Sequence, residues 1–262
     1  MIGFNALGYL GRLGNQMFQF AALKGIARNR GFEYCFPPTK NQNEWTDHQL
    51  FNPFKLSNTS QLNVQFIDPD RPTIVEQSFS FDERLFNECP DWVSIQGFFQ
   101  SEKYFKNIEE EIRQDFIFKD EILNPSLKTI SYWKSPLSLH IRRTDYLTNS
   151  NHTTLPIEYY EKALSMFDAD QEVIIFSDDP DWCLSHPLFE NDRFMVSQTD
   201  SNYMDLCLMS LCKHHIIANS SFSWWGAWLA KSEKVIAPSV WFGPGNADKN
   251  TSDLIPERWT LV

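Results

Sequence analysis

The chain has 262 residues, 42% of them hydrophobic and 15% aromatic, and a formal net charge of −11. That length and apolar content suit one large domain or two moderate ones with a sizeable core, and they exclude a disordered chain. The acidity argues against a nucleic-acid partner, which selects a basic face, although a local basic cluster can still hold a small anion.

Residues 2–10 read as a short strand, followed by Gly8, Gly11 and Gly14 around Arg12. Residues 15–28 then place Met17, Phe18, Ala21, Ala22 and Ile26 at helical spacing. Strand, glycine-rich turn and helix match the opening unit of a nucleotide-handling α/β fold. The glycines are three apart, so the dinucleotide fingerprint is absent, and no Gly-Lys-Ser/Thr follows to make a P-loop. What the turn offers is a helix N-terminus carrying Asn15 and Gln16, suited to an anion or a sugar. A tight turn with a capping Asn fits those residues equally well.

From residue 31 to 90, Pro37, Pro38, Pro53, Pro69 and Pro72 punctuate short apolar pieces, which implies loops with a few strands. No chemistry can be placed there, and substrate selection is the expectation for so irregular a stretch. Residues 92–99 alternate like a strand. Residues 101–116 read as one helix with Tyr104, Phe105, Ile108 and Ile112 inward. Asn124-Pro125 reads as a linker and sets a division into 1–125 and 126–262.

The second half is more regular. Strands are expected at 138–141, 173–176, 215–218 and 235–237, with helices at 157–167, 203–211 and 223–231. This alternation means a parallel sheet covered on both faces, with ligands at the strand C-terminal ends. Those ends carry His140, Arg142, Arg143 and Asp145, then Ser177, Asp178 and Asp179, then Asn219, Ser220 and Ser221. Two adjacent arginines after a buried strand are costly unless something anionic meets them, and a guanidinium fork suits a phosphate. The plainer alternative pairs one with Asp145 and leaves the other in solvent. Three polar constellations at successive strand ends describe one crevice, which favours the ligand.

Ser220 and Ser221, capping a helix, would present backbone N–H groups to a phosphate. Trp224, Trp225 and Trp228 read as core packing. Asp178-Asp179 before Pro180 fits a magnesium site or a helix cap, but hydrogen bonding to a ligand is preferred and no metal is expected. Asp205 favours the helix dipole, and its carboxylate can also accept two N–H bonds from a guanine edge. The five cysteines, Cys35, Cys89, Cys183, Cys207 and Cys212, are odd in number and contain no Cys-x-x-Cys pair. Reduced thiols in a cytoplasmic protein are the expectation, with neither zinc nor disulfides. No apolar run approaches bilayer-spanning length, and no signal-peptide pattern is evident.

Three motifs then stand out in order: Gly11-Arg12-Leu13-Gly14-Asn15-Gln16-Met17-Phe18-Gln19, His140-Ile141-Arg142-Arg143-Thr144-Asp145-Tyr146, and Asn219-Ser220-Ser221-Phe222-Ser223-Trp224-Trp225-Gly226. Together they resemble glycosyltransferase family 11, the α-1,2-fucosyltransferases. A wider likeness to α-1,6- and protein O-fucosyltransferases implies a GT-B architecture, two Rossmann-like domains facing each other across a cleft. It also implies that 1–125 is the acceptor-side domain and 126–262 the GDP-fucose-binding domain. Carried onto this chain, the resemblance makes Arg142 the contact to the donor's β-phosphate and His140 a donor hydrogen bonder. It makes Asp205 the guanine reader and sets Asn15 near the fucose and the leaving phosphate. Arg12, Gly14, Arg143, Asp178, Asp179, Asn219, Ser220, Ser221 and Phe222 complete the expected donor-binding set.

The implied reaction is inverting, metal-independent transfer of L-fucose from the substrate GDP-β-L-fucose to the 2-OH of a terminal galactoside on a glycan acceptor. Alternatives are a fucosyltransferase of different linkage or acceptor, or a non-catalytic sugar-nucleotide-binding relative. The α-1,6 enzymes have a glutamate after the double arginine, whereas this chain has no acid between Asp145 and Glu158. Asp145 and His152 are the nearest candidate bases, and a dissociative reaction without a strong base is the other course.

Overall fold

The structure, a computed structural model, describes residues 1–39, 48–199 and 201–262. Its chain divides into two units, Met1–Lys119 with Asn250–Pro256, and Asp120–Lys249 with Glu257–Val262.

The first unit contains β1 (Ile2–Gly3), α1 (Leu13–Arg30), β2 (Tyr34–Cys35), β3 (Thr73–Val75), α2 (Glu83–Glu88), β4 (Val93–Gln96) and α3 (Glu109–Asp115). Its four strands pair in parallel in the order β2-β1-β4-β3. Good helix formers (Ala21, Ala22, Leu23, Ala27) sustain α1, and Gly31 at φ 68 ends it by donating its N–H to the Ala27 and Arg28 carbonyls. The helix is enclosed rather than one-sided: Gln19 and Lys24 are as buried as Phe18 and Ile26. A fully buried lysine needs a counter-charge, and Lys24 Nζ meets Asp115 Oδ2 of α3 at 2.5 Å.

Two expectations are corrected here. Only Ile2–Gly3 of the anticipated strand 2–10 joins the sheet; the chain then turns, with Gly8 and Gly11 at positive φ. Residues 101–116 form two short 3₁₀ turns, Glu102–Tyr104 and Lys106–Ile108, before α3. Phe105, at φ −135 and ψ 9, lies outside helical geometry and breaks the run. Tyr104, Phe105 and Ile112 do point inward, while Ile108 is half-buried.

The second unit contains α4 (Asp120–Ile130), β5 (Leu137–Ile141), α5 (Ile157–Leu164), β6 (Val173–Ser177), α6 (Pro180–Ser185), β7 (Phe194–Val196), α7 (Asn202–Leu211), β8 (His214–Ile216), α8 (Ser221–Leu229), β9 (Lys234–Ala237) and β10 (Thr260–Leu261). Six parallel strands run in the order β10-β9-β8-β5-β6-β7. On β6, Val173 and Ile175 face Tyr159, Tyr160 and Cys183 of α5 and α6, while Ile174 and Phe176 face Leu208 and Met209 of α7. Both faces are therefore covered, as continuous apolar strands require. Trp224, Trp225 and Trp228 are buried and pack on one another. Asn124 and Pro125 lie inside α4, not in a linker. Packing of α4 on α7 sustains the helix through the proline's missing N–H, with Ile122 and Ser126 buried.

The chain leaves β5 through β6 to β7, then crosses to β8 on the other side of β5. The strand order thus reverses between β5 and β8, and ligands of open parallel sheets bind outside the strand ends at such a point.

Candidate active site

Arg142 and Arg143 follow β5 directly, and the register Ile141↔Ser177 brings the end of β6 alongside them. Arg142, only 17% exposed, donates to Asp145 at 2.6 Å and pairs with Asp178 at 3.2 Å. Asp178 also accepts the backbone N–H groups of Arg143 (2.9 Å) and Thr144 (3.1 Å) and the Thr144 hydroxyl. Burial pushes Asp178 up, but the Thr144 hydroxyl, the Arg143 N–H and the Arg142 charge outweigh it and hold the carboxyl below the usual range. Arg143 pairs with Asp179 at 3.0 Å and lies over the Trp182 ring at 4.0 Å. Asp179 also caps α6, accepting the Trp182 N–H. So Arg142 does pair with Asp145, but Arg143 is not left in solvent.

Across the switch point, His140 Nδ1 and Ser223 Oγ are 2.8 Å apart. Burial, with the Arg142 charge, lowers His140 to about 3, so its imidazole is neutral at neutral pH. Its Nε2 has no partner among the described residues. Tyr146 donates its hydroxyl to the Asn219 carbonyl at 3.2 Å, and His152 stacks on the Tyr146 ring at 4.4 Å. Burial holds His152 below the ordinary histidine value, opposed by Asp145. Asn219 donates to the Thr153 and Trp241 carbonyls at 2.9 and 3.0 Å, while its Oδ1 is buried without a partner. Ser220 caps α8 by accepting the Phe222 N–H at 3.3 Å, Ser221 opens the helix, and the Phe222 ring lies 5.9 Å from His140. A guanidinium, a neutral imidazole and a helix N-terminus therefore converge at the β5–β8 reversal, an arrangement suited to an anion.

Asp205 stands apart, in the first turn of α7 beyond the end of β7. Two strand spacings, about 10 Å, separate β7 from β5. Asp205 Oδ1 accepts the hydroxyls of Ser197 (2.8 Å) and Thr199 (2.9 Å), and Oδ2 has no partner among the described residues. Burial raises this carboxyl and the two hydroxyls oppose it.

In the first unit, Arg12 is exposed and gives α1 no side-chain cap, and Gly14 is buried. Asn15 is half-buried; its Oδ1 accepts the Gln100 amide at 2.6 Å, and its own N–H2 has no partner among the described residues. Gly11, at φ +79, admits this side chain: a Cβ there would lie 2.1 Å from Asn15 Nδ2. Sequence reasoning missed Gln100, Ser223 and Tyr146 as site residues. The last two lie inside the quoted motifs, whereas nothing local marks Gln100. Among the described residues no three His, Cys, Asp or Glu side chains converge to hold a metal ion, and no helix is long and apolar enough to cross a membrane.

Fold and site define a parallel α/β protein with an anion-receptive crevice at a topological switch point. The chain belongs to glycosyl transferase family 11, whose model matches residues 2–242. The O-antigen biosynthesis glycosyltransferase WbnK of Escherichia coli is 38% identical over 154 residues, 55% of this chain and 51% of that protein. An α-1,2-colitosyltransferase of Escherichia coli is 30% identical over 286 aligned residues, 96% of each chain. Galactoside α-(1,2)-fucosyltransferase 1 of Rattus norvegicus is 23% identical over 250 residues, 86% of this chain and 63% of that one. The match thus spans about half of the first relative, nearly all of the second and under two thirds of the third. The fold is shared with the crystal structure of the fucosyltransferase NodZ from Bradyrhizobium, at TM-score 0.53 and 11% identity, over 89% of this chain and 94% of that one.

Proposed function

We propose that this protein is a cytoplasmic, inverting, metal-independent fucosyltransferase that moves L-fucose from GDP-β-L-fucose to the 2-OH of a terminal galactoside. In this reading the chain is a GT-B enzyme, with the second unit (Asp120–Lys249 and Glu257–Val262) holding the donor and the first serving the acceptor. The observation that supports it most is the Arg142 guanidinium at the β5–β8 reversal, fixed by Asp178 yet touching a second carboxylate, Asp145, that is 43% exposed. A phosphate can displace the exposed partner while Asp178 keeps the fork in place.

As the bond from the fucose carbon to the β-phosphate oxygen breaks, negative charge grows on that phosphate. Arg142, the α8 N-terminus and, in the tautomer whose Nδ1 accepts from Ser223, the His140 Nε2–H stabilise it more in the transition state than in the ground state. The open oxygen of Asp205 accepts from guanine, and the Asn15 N–H2 donates near the leaving phosphate. The acceptor's proton passes to Asp145 or His152, or to water in a dissociative step. A phosphate that displaces Asp145 from Arg142 makes that carboxylate available, and His152, held below the ordinary histidine value, is the other candidate.

A second donor is favoured by one observation: the colitosyltransferase matches 96% of this chain. The test is incubation in EDTA with GDP-fucose, or with a colitosyl donor, and a panel of galactosides, with the product linkage read by NMR. An α-1,2-fucosyl galactoside is expected. Product from the colitosyl donor alone would move the assignment to that sugar, and activity only after magnesium is restored would end the metal-independent reading.

A further inference from the structure

Glu76 lies just past β3, and its carboxylate accepts two backbone N–H groups from the segment after the neighbouring strand β4. Phe98 donates to Oε2 at 2.7 Å and Phe99 to Oε1 at 3.0 Å. Gly97 permits this approach, since a Cβ there would lie 2.4 Å from Glu76 Cβ. The Gly97 carbonyl is in turn held by the Gln19 amide at 3.0 Å. Phe99 is at φ 51, a left-handed conformation that costs a bulky side chain and persists only where the surroundings enforce it. Its ring is fully buried, edge-on to Phe4 and Tyr104.

The residue that leaves this turn is Gln100. Its Nε2 meets Asn15 Oδ1, while its own Oε1 is buried with no partner. Apart from Asn15, then, no hydrogen-bond partner holds the Gln100 amide, and where it lies follows from the backbone that carries it. Pinning the Asn15 oxygen leaves the Asn15 N–H2 outward as a donor. If the turn relaxed, the amide could rotate and offer oxygen to an anion instead.

We propose that Glu76 is a positioning residue for Asn15: its carboxylate locks the left-handed turn at Phe99, the turn delivers Gln100 to the Asn15 oxygen, and Asn15 keeps its amide donors for the leaving phosphate. The role given to Asn15 rests on the proposed function; the contacts from Glu76 to Asn15 do not. Burial pushes the Glu76 carboxyl up to about 7, although the Phe98 and Phe99 N–H groups pull it down. Ionised, it accepts both N–H groups; protonated, it turns an O–H against one of them. The clamp therefore tightens as pH rises through neutrality. The ionisable groups around it are the Tyr104 hydroxyl, which its charge helps to raise, and beyond that Asp82 at the start of α2 and Asp253, itself paired with Lys103.

The test compares full-length wild type, Glu76→Gln and Gln100→Ala. In ¹⁵N NMR spectra taken over about two pH units either side of 7, the Gln100 side-chain signal is identified by its loss in Gln100→Ala. That signal should titrate near pH 7 in wild type and stay fixed in Glu76→Gln. With the GDP-sugar and acceptor that wild type uses, kcat should fall below about pH 7, and both variants should lose that limb. Each should also show kcat roughly tenfold lower with the acceptor KM little changed. A Gln100 signal that stays fixed in wild type, or titrates equally in Glu76→Gln, overturns the proposal. If Glu76→Gln does not fold, Gln100→Ala decides: loss of the limb supports the coupling and its retention overturns it. If wild type turns over no GDP-sugar, the proposed function fails, and the amide titration alone decides whether Glu76 controls Gln100.

Discussion

Asp205 has one carboxylate oxygen held by two hydroxyls and the other open, which makes it a directional acceptor. Asp205→Ala should weaken GDP binding by about tenfold or more, the scale of a charge-assisted hydrogen bond, and should narrow the preference for GDP over ADP. Competition assays with the two nucleotides measure this, with Asp205→Asn as the shape-preserving control. Unchanged discrimination would remove the base-reading role. At this scale the two arginines were legible because charged side chains at the end of a buried strand demand partners, and Asp205 only as an acid in the first turn of a helix. Which carboxylates serve them was not. Asp178 reaches Arg142 and the backbone of Arg143 and Thr144 only because β5 pairs with β6 in one register, and register is a property of two distant segments.

Helix α1 carries the first unit, and its enclosure puts a full charge in the core. Breaking the Lys24–Asp115 pair should be costly, because Asp115 is fully buried and its second oxygen already holds the Asn58 N–H at 2.8 Å. Lys24→Met is expected to lower unfolding free energy by roughly 3–5 kcal/mol, and Lys24→Met with Asp115→Leu by less. Urea unfolding measures both, and a loss below about 1 kcal/mol in the single variant would show that the pair is not what ties α1 to α3. The 3.6-residue spacing of Met17, Phe18, Ala21, Ala22 and Ile26 announced this helix, yet it hid the burial of Lys24 and Gln19. An enclosed helix has no polar face to predict. Strands of two or three residues in the first unit (β1, β2, β3) are likewise too short for alternation to register, whereas β4 falls within the alternating stretch 92–99. For the same reason Glu76, at the end of β3 in a proline-punctuated stretch, carried no local signal. In α4, tertiary packing on α7 overrode the turn chemistry of Asn124-Pro125.

At the scale of the whole chain, each unit has a parallel sheet whose C-terminal strand ends gather polar side chains: Asn15, Glu76 and Gln100 in one, and His140, Arg142, Asp178 and Ser221 in the other. The alternation of strands and helices made β5, β6, β8 and β9 readable, but not the short edge strands β7 and β10. The position of the reversal was not, since helix–strand spacing is the same whichever side of β5 the chain returns to. The return of Asn250–Pro256 to the first unit had no pattern either, being fixed by single contacts such as the Phe81 N–H to Asp253.

The central claim is that the guanidinium beside the β5–β8 reversal binds the phosphates of GDP. Calorimetric titration of GDP into wild type and Arg142→Lys tests it most directly, because lysine keeps the charge and loses the fork. Wild type should bind, and Arg142→Lys should bind about tenfold more weakly or worse, with thermal unfolding unchanged. Equal affinity in the two folded proteins, or no binding of GDP by wild type, would contradict it.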